Sequence, residues 1–372
     1  MKILFIQKVK GLYGSERVLL HLVAGLAARG HSVTFLVYTA PCVPVDGYCA
    51  LLRQAGAVVI TMILGHCNPA VLWRTRRLIR AGGFDVVHTH LIHGDWYGIT
   101  AARWAGVRRV ISTKHNDDPF RGLLPFRVME RFMARRCAAI TAVSEWVRAF
   151  HARLGLPAIR VIVIPHGIAP AAPDPGARAR VCAEFGIGAD EVVLLCAARL
   201  TEQKGQHLLI RAFGRLAASG RRGRLLIAGT GPDEAGLRHQ VAEAGLAARV
   251  LFLGYRDDIT ALMAAADVYV QPSLWEGFGF VFLEAMQAGL PILSSNVSAI
   301  PEVVVHGETG YLLPAGDVSG IWGHMQVLVD DAGLRARMGA AAQARVARRF
   351  SLEAMVGAYE DLYRRVAAGE RS

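Results

Sequence analysis

The chain has 372 residues, 53% hydrophobic and only 19% charged, with Lys and Arg exceeding Asp and Glu by 12. That balance excludes a disordered chain, and the length suits two domains with separate cores. No apolar stretch approaches the ~20 residues of a membrane-spanning helix. The opening apolar run Ile3–Ile6 is cut off by Lys8, Lys10 and Gly11. It falls short of the roughly 7–15 apolar residues of a secretory signal. Cys42, Cys49, Cys67, Cys137, Cys182 and Cys196 form no C-x-x-C pair and no zinc-like spacing, so reduced thiols in a cytoplasmic protein are expected.

In chain order, Lys2–Gln7 reads as a short buried strand, Ser15–Ala28 as an amphipathic helix ending at Gly30, and Ser32–Tyr38 as a second strand. Val58–Thr61, Phe84–His88, Arg109–Thr113, Ala139–Val143 and Arg160–Ile164 continue the series, with helix-length segments between them. Short apolar runs separated in this way mark parallel strands with crossover helices. Ile168–Ala177 contains Pro170, Pro173 and Pro175, so it reads as a linker. The pattern then restarts at Val192–Ala197, Arg224–Ala228, Val250–Phe252, Val268–Val270 and Ile292–Ser294. A last helix runs from an N-cap at Ser351 to about Ala367, with Glu353 in its first turn. Leu352, Met355, Val356, Tyr359, Leu362, Tyr363 and Val366 form its apolar stripe.

The expected fold is therefore α/β, two doubly wound parallel-sheet domains in series. Residues 1–168 form the first, 169–177 the linker and 178–350 the second, with ligands expected in the cleft between domains. The charge divides with them. Residues 1–168 hold 22 basic and 8 acidic side chains, and residues 169–372 hold 20 and 22. Arg74–Arg80, Arg103–Lys114 and Arg121–Arg136 are the basic clusters. Such asymmetry fits a domain facing an anionic surface, or equally an Arg-rich solvated surface.

Residues 271–302 carry the strongest chemical signal. A strand ends at Val270, a loop containing Gly277 and Gly279 follows, and a helix begins near Phe280. Glycines allow a tight turn and close approach to a ligand, and free N–H groups at the helix start favour an anion. Glu276 precedes the turn and Glu284 lies eight residues later. Carboxylates beside an anion site are suited to hydroxyl partners.

This stretch resembles the E-x7-E signature of the retaining family-4 glycosyltransferases, which have the GT-B fold. Ala198-Arg199-Leu200 with Gln203-Lys204-Gly205 resembles the family's "GR-L…-KG" element, with Ala198 in place of the usual Gly. Leu253-Gly254-Tyr255, Ala266-Asp267-Val268 and Ile300-Pro301-Glu302 match further positions, and Ile164-Pro165-His166-Gly167 resembles the "IPNG" element. Gly11-Leu12-Tyr13-Gly14-Ser15-Glu16-Arg17 resembles the family's "GGAER" loop.

The resemblance implies two Rossmann-like domains, with residues 351–372 returning to the first, and closure of the domains on the donor. It implies a nucleoside-diphosphate sugar as donor, UDP ahead of GDP, and no cofactor or divalent metal. No Asp-x-Asp motif appears in a loop suited to a metal-bridged diphosphate. Arg199 and Lys204 resemble the diphosphate clamp. Glu284 would hold the ribose, Glu276 the sugar hydroxyls, and Gly277, Phe278 and Gly279 would offer backbone N–H groups. Gly254, Tyr255 and Arg256 would meet the base, and Gly14 and Ser15 would border sugar and diphosphate. His115, with Asn116 after it, resembles the active-site histidine, and the alternative is a surface-loop histidine. His166 is expected to be structural.

His88, His90, His93 and Asp95 admit a metal reading, but "DVVH-x-H" is family-like. His88, His90, His93 and Asn116 are therefore assigned to the acceptor side. A saccharide or lipid-linked acceptor, with an anionic membrane surface as a candidate partner, fits the basic first domain, and nucleic acid does not. A small polar acceptor such as an aminocyclitol, or a nucleotide-sugar epimerase reaction, stands as the alternative. Arg127–Arg136, with Phe126, Val128, Met129, Phe132 and Met133, is either a lipid-facing basic surface or a core-facing helix, the second slightly favoured.

Overall fold

The computed structural model describes every residue except 10, 13, 65–68, 157–160, 173, 371 and 372. Lys10, Tyr13, Cys67, Arg160 and Pro173, which entered the sequence reading, therefore lie outside the described residues. The chain forms two compact units: Met1–Ala169 with Phe350–Ser372, and Pro170–Arg349.

Unit 1 is a seven-stranded sheet in the order β3-β2-β1-β4-β5-β6-β7. Its strands are β1 (Lys2–Lys8), β2 (Ser32–Thr39), β3 (Val58–Ile63), β4 (Val86–His90), β5 (Val110–Lys114), β6 (Ala139–Ala142) and β7 (Val161–Val163). Unit 2 is a six-stranded sheet in the order β10-β9-β8-β11-β12-β13. Its strands are β8 (Val192–Ala197), β9 (Gly223–Ala228), β10 (Val250–Gly254), β11 (Val268–Gln271), β12 (Ile292–Ser295) and β13 (Gly310–Leu313). Neighbouring strands pair in parallel. Central strands are buried on both faces, as Val193–Cys196 and Leu225–Ile227 show, so they read as unbroken apolar runs rather than alternations.

Two sequence expectations need correction. The fourth strand is Val86–His90, not Phe84–His88, because Asp85 N–H already bonds the Lys2 carbonyl at 2.8 Å and starts the ladder there. The edge strand β13 was not foreseen. Its four residues, Gly310-Tyr-Leu-Leu313, are too few to announce a strand.

Ser351 caps the last helix, Leu352–Ala367, its side chain accepting from Ala354 N–H. This helix packs on Gly14–Ala28. Glu360 anchors it through Arg29 at 2.8 Å and His31 at 3.0 Å. The chain leaves unit 1 and re-enters it side by side, Ile168 N–H donating to Phe350 O and Leu352 N–H to Ile168 O. The described cysteines Cys42, Cys49, Cys137, Cys182 and Cys196 are free thiols.

Candidate active site

The strand order of unit 2 reverses between β8 and β11, and doubly wound sheets bind ligands beyond the carboxyl ends at that point. After β8 comes Ala198-Arg199-Leu200, then a single turn, Glu202–Lys204, ended by Gly205. Gly205 has φ +69°, and a Cβ there would lie 2.1 Å from the Pro272 carbonyl oxygen. Only glycine lets the two loops meet this closely. Leu274 N–H donates to Gln203 O at 2.8 Å, and Gln203 Nε2 to Trp275 O at 3.0 Å. The contact sets Lys204 Nζ against Glu276 Oε2 as an ion pair, with both side chains nearly buried.

A buried polar chain braces that pair. Tyr269 hydroxyl donates to Gln271 Oε1 at 2.7 Å. Gln271 Nε2 then reaches Ser273 Oγ at 3.0 Å and Glu276 Oε2 at 3.5 Å. Ser294 hydroxyl closes the frame on the Gln271 carbonyl at 2.6 Å. Burial first, then Cys196, Glu284 and Glu276, raises the Tyr269 phenol well above its ordinary range, so it is a donor here.

Gly279 begins the helix Phe280–Gln287 with φ +77°. A Cβ would meet the Phe282 ring at 2.4 Å, so the position needs glycine on both sterics and backbone. Gly277 and Phe278 are buried beside it, and Glu284 is half-buried within the helix. On the other side, the ends of β8, β9 and β10 are stitched together. Ala198 N–H bonds Ala228 O at 3.0 Å, Leu200 N–H bonds Thr230 O at 3.0 Å, and Gly229 N–H bonds Gly254 O at 2.7 Å. Arg199 and Tyr255 stand exposed at this rim. Arg256 is held by Glu184 at 2.7 Å and Asp258 at 2.7 Å. Its guanidinium is thereby committed to structural ion pairs rather than to a base.

Unit 1 reverses its order between β1 and β4. There the chemistry is imidazole. His88 and His90, two apart on β4, share a face with ring centroids 4.1 Å apart. His88 gives both nitrogens to the fold, one to Tyr363 hydroxyl at 2.8 Å and one to Thr113 at 2.6 Å. His90 Nδ1 bonds His115 Nε2 at 3.0 Å. His90 lies flat on Phe5 at 5.5 Å, and His115 stacks on His166 at 5.7 Å. His90 Nε2 and His115 Nδ1 are buried without a hydrogen-bond partner among the described residues. Burial holds all four rings neutral. It lowers His115 to about 3, helped by Arg121 and Lys114, and holds His88, His90 and His166 well below their usual value.

Beside these rings lies a second polar cluster. Lys114 Nζ sits 2.7 Å from Asp95 and 2.8 Å from Glu130. Arg121 also pairs with Glu130, while Thr89 and Ser112 donate to Asp95 at 2.6 and 2.7 Å. Burial favours the neutral form of Glu130, yet Lys114 and Arg121 bring it down to about 2. At the loop after β1, Glu16 on the first turn of Gly14–Ala28 accepts from the neighbouring Ser15 hydroxyl at 2.9 Å and from Gln7 Nε2 of β1 at 3.1 Å.

A family profile described as "Glycosyltransferase Family 4" matches residues 13–172, and one described as "Glycosyl transferases group 1" matches residues 180–345. The GDP-mannose-dependent alpha-(1-6)-phosphatidylinositol monomannoside mannosyltransferase of Mycolicibacterium smegmatis is 30% identical over 352 residues, covering 88% of this chain and 89% of that protein. The chain belongs to glycosyltransferase family 4.

An N-acetyl-alpha-D-glucosaminyl L-malate synthase of Bacillus anthracis is 34% identical over 180 residues, 48% of this chain and 47% of that one. Among solved structures, Anabaena HepE in complex with UDP and glucose superposes with a TM-score of 0.86 at 23% identity, covering 97% and 99% of the two chains. Sucrose-phosphate synthase of Thermosynechococcus elongatus gives 0.82 at 23% identity, covering 99% and 100%. The two Rossmann-like units are those of the GT-B fold.

On this glycosyltransferase, Lys204, Glu276, Gly277, Phe278, Gly279 and Glu284 gather around the β8–β11 switch point, and Arg199, Gly254 and Tyr255 lie along its rim. Gly14, Ser15, His90, His93 and His115 gather at the carboxyl edge of the unit 1 sheet, with Asn116 exposed after them. His88 departs from its acceptor-side assignment. It is fully buried, with both nitrogens satisfied by Tyr363 and Thr113, so it is a core group. His115 is buried too, which removes the surface-loop alternative. His93 is half-buried with Lys8 Nζ 3.3 Å away. Asp95 serves Lys114, and no group of three or more His, Cys, Asp or Glu side chains among the described residues could hold a metal ion.

The sequence reading missed the Tyr269–Gln271 brace, the Gly229-Thr-Gly231 loop and the Lys114–Glu130 cluster. The glycine pair directly after β9 was a visible signal. A Cβ at Gly229 would lie 2.0 Å from Ala198 O, so the spacing carries a packing demand. The cluster had none, because its members are spread over residues 95–130.

Proposed function

We propose that this chain transfers a hexosyl or N-acetylhexosaminyl group from a nucleoside-diphosphate sugar, with retention of anomeric configuration and without a divalent metal, to a saccharide or lipid-linked acceptor in cell-surface glycan assembly. The observation that carries the proposal is the braced Lys204–Glu276 pair at the switch point of unit 2. An ammonium set there beside the N-terminus of Phe280–Gln287 gives positive potential for a diphosphate. Arg199 at the rim adds a second cation. Together they would stabilise charge on the departing diphosphate, the task a metal performs elsewhere. Glu276 and Glu284 supply acceptor oxygens for hydroxyls of sugar and ribose.

In the step itself the acceptor oxygen forms the new bond to the anomeric carbon while the bond from that carbon to the diphosphate oxygen breaks on the same face. The acceptor proton passes to the leaving phosphate. The protein contributes orientation and charge stabilisation, not a covalent intermediate. His115, kept neutral, is assigned to the donor sugar as a hydrogen-bonding group. GDP-mannose, the donor in the name of the Mycolicibacterium relative, sets a guanine nucleotide beside the UDP expected from sequence.

Calorimetric titration with UDP, GDP and ADP in EDTA tests this reading. One nucleotide should bind without metal, and binding should vanish in the Arg199→Ala/Lys204→Ala double variant. Binding that needs Mg²⁺, or that survives the double change, would overturn the clamp.

A further inference from the structure

His88 shows what a structural histidine looks like in this sheet. Tyr363 and Thr113 fill its two nitrogens, and Thr113 passes the chain on to Thr141 at 2.6 Å. Buried polar atoms are nearly always satisfied in this way. His90 and His115 differ. Each spends one nitrogen on the other, His90 Nδ1 lying 3.0 Å from His115 Nε2. His90 Nε2 and His115 Nδ1 stay open among the described residues, although the side chains are only 0% and 6% exposed. Such a pair is not closed on the fold, and its open atoms suit a ligand.

Neighbouring rings hold the pair in place. His90 lies parallel to Phe5, with 2° between the planes, and His88 leans on it at 45°. His115 directly follows β5 and lies against His166 at 28°.

A hydrogen bond between two neutral imidazoles carries one proton, and this ties their tautomers together. If His90 donates, its proton is on Nδ1, His115 Nε2 accepts, and the His115 proton must be on Nδ1. If His115 donates from Nε2, the His90 proton must be on Nε2. Both rings therefore carry the proton on the same-named nitrogen, and the state of His115 Nδ1 follows from His90. Burial, reinforced for His115 by Arg121 and Lys114, keeps both rings uncharged at neutral pH.

We propose that His90 is a positioning residue for glycosyl transfer. By occupying His115 Nε2 it leaves Nδ1 as the atom that meets a hydroxyl of the donor sugar, and it couples the proton on that atom to its own tautomer. This role rests on the assignment of His115 to the donor sugar under the proposed function. His90 acts through His115 and not on the reacting atoms. A hydroxyl can serve either tautomer, but only along the direction in which Nδ1 points, so the bond from His90 selects how the sugar is seated.

Three substitutions separate this from a packing role. His90→Phe keeps a ring on Phe5 and removes the bond. His90→Asn gives up the ring but places an amide where Nδ1 stood. His90→Gln places its amide nearer to the position of Nε2. Release of nucleoside diphosphate from UDP-glucose or GDP-mannose, with water as acceptor, measures turnover. His90→Phe and His90→Gln should lower kcat about tenfold, and His90→Asn should restore most of it. Free UDP and GDP should bind each variant as they bind wild type. A packing role predicts the reverse order, with His90→Phe faster than His90→Asn. That order, or full kcat in His90→Phe, would overturn the proposal.

The resting protein gives a second readout that needs neither a variant fold nor turnover. Nitrogen-15 spectra of histidine-labelled wild type should show the same tautomer in both rings. Opposed tautomers would mean that no proton joins them, and would overturn this role alone. A wild type that binds none of the titrated nucleotides would instead overturn the donor reading, and this role with it.

Discussion

The switch points of the two units have the same topology and opposite chemistry. In unit 2 the loops after β8 and β11 bring an ammonium against a carboxylate, fixed by Gly205 and Gln271. In unit 1 the strands β1, β4 and β5 bring Phe5, His88, His90 and His115 into one neutral stack. Topology decides where a crevice forms, and a few residues at the strand ends decide which ligand group it suits. Charge at one centre suits a diphosphate. Uncharged nitrogen donors and acceptors at the other suit hydroxyls, which need direction more than potential.

The largest expected effect is at the ionic centre. Lys204→Ala and Glu276→Ala should each lower turnover by about 10²–10³ with an unchanged fold. Transfer rates and circular dichroism measure this, and full activity in either variant would erase the contrast. At the neutral centre His115→Ala should lower turnover by about 10², the scale of one lost oriented donor. His115→Arg should do no better than alanine, because the pocket holds the ring uncharged.

Acid should divide the units. Free histidine takes a proton near 6.5, whereas His115 and the buried His151 of the helix Glu145–Arg153 do so only at about 3, burial being the main cause. Their contribution is complete above about 6.5 and is lost progressively as pH falls toward 3, because the unfolded chain then binds more protons. Hydrogen exchange at pH 7 and pH 5 should show protection falling in residues 1–169. His90→Phe, which keeps the stack on Phe5, should flatten that dependence.

The smallest effect sharpens the comparison most. Gln271→Leu removes the brace but neither charge. It should lower kcat/KM about tenfold and leave KM for the acceptor unchanged. A KM effect alone would assign Gln271 to binding rather than positioning.

Much of this was legible in the sequence. The seven strands of unit 1 and five of the six in unit 2 announced themselves as apolar runs. The departures share a cause. His88 looked like a ligand-facing residue because sequence shows its strand but not Tyr363, which arrives from 275 residues away to satisfy it. Gln271 drew no role of its own from the sequence, since its value lies in Tyr269 and Ser273 around it. In Leu124–Ala134, Met129 and Met133 pack on the core as the favoured reading had it, whereas Val128 and Phe132 are exposed, and an amphipathic pattern does not say which stripe turns inward.

Unit 1 is interrupted by the whole of unit 2, and this bears on the order of synthesis. Residues 170–349 are all synthesised before Leu352–Ala367. Until that helix emerges, His88 lacks the Tyr363 hydroxyl, and Arg29 and His31 lack Glu360. The N-terminal unit therefore cannot finish folding until Leu352–Ala367 has emerged. A stop codon near residue 350 should yield a folded second unit tethered to a protease-sensitive sheet.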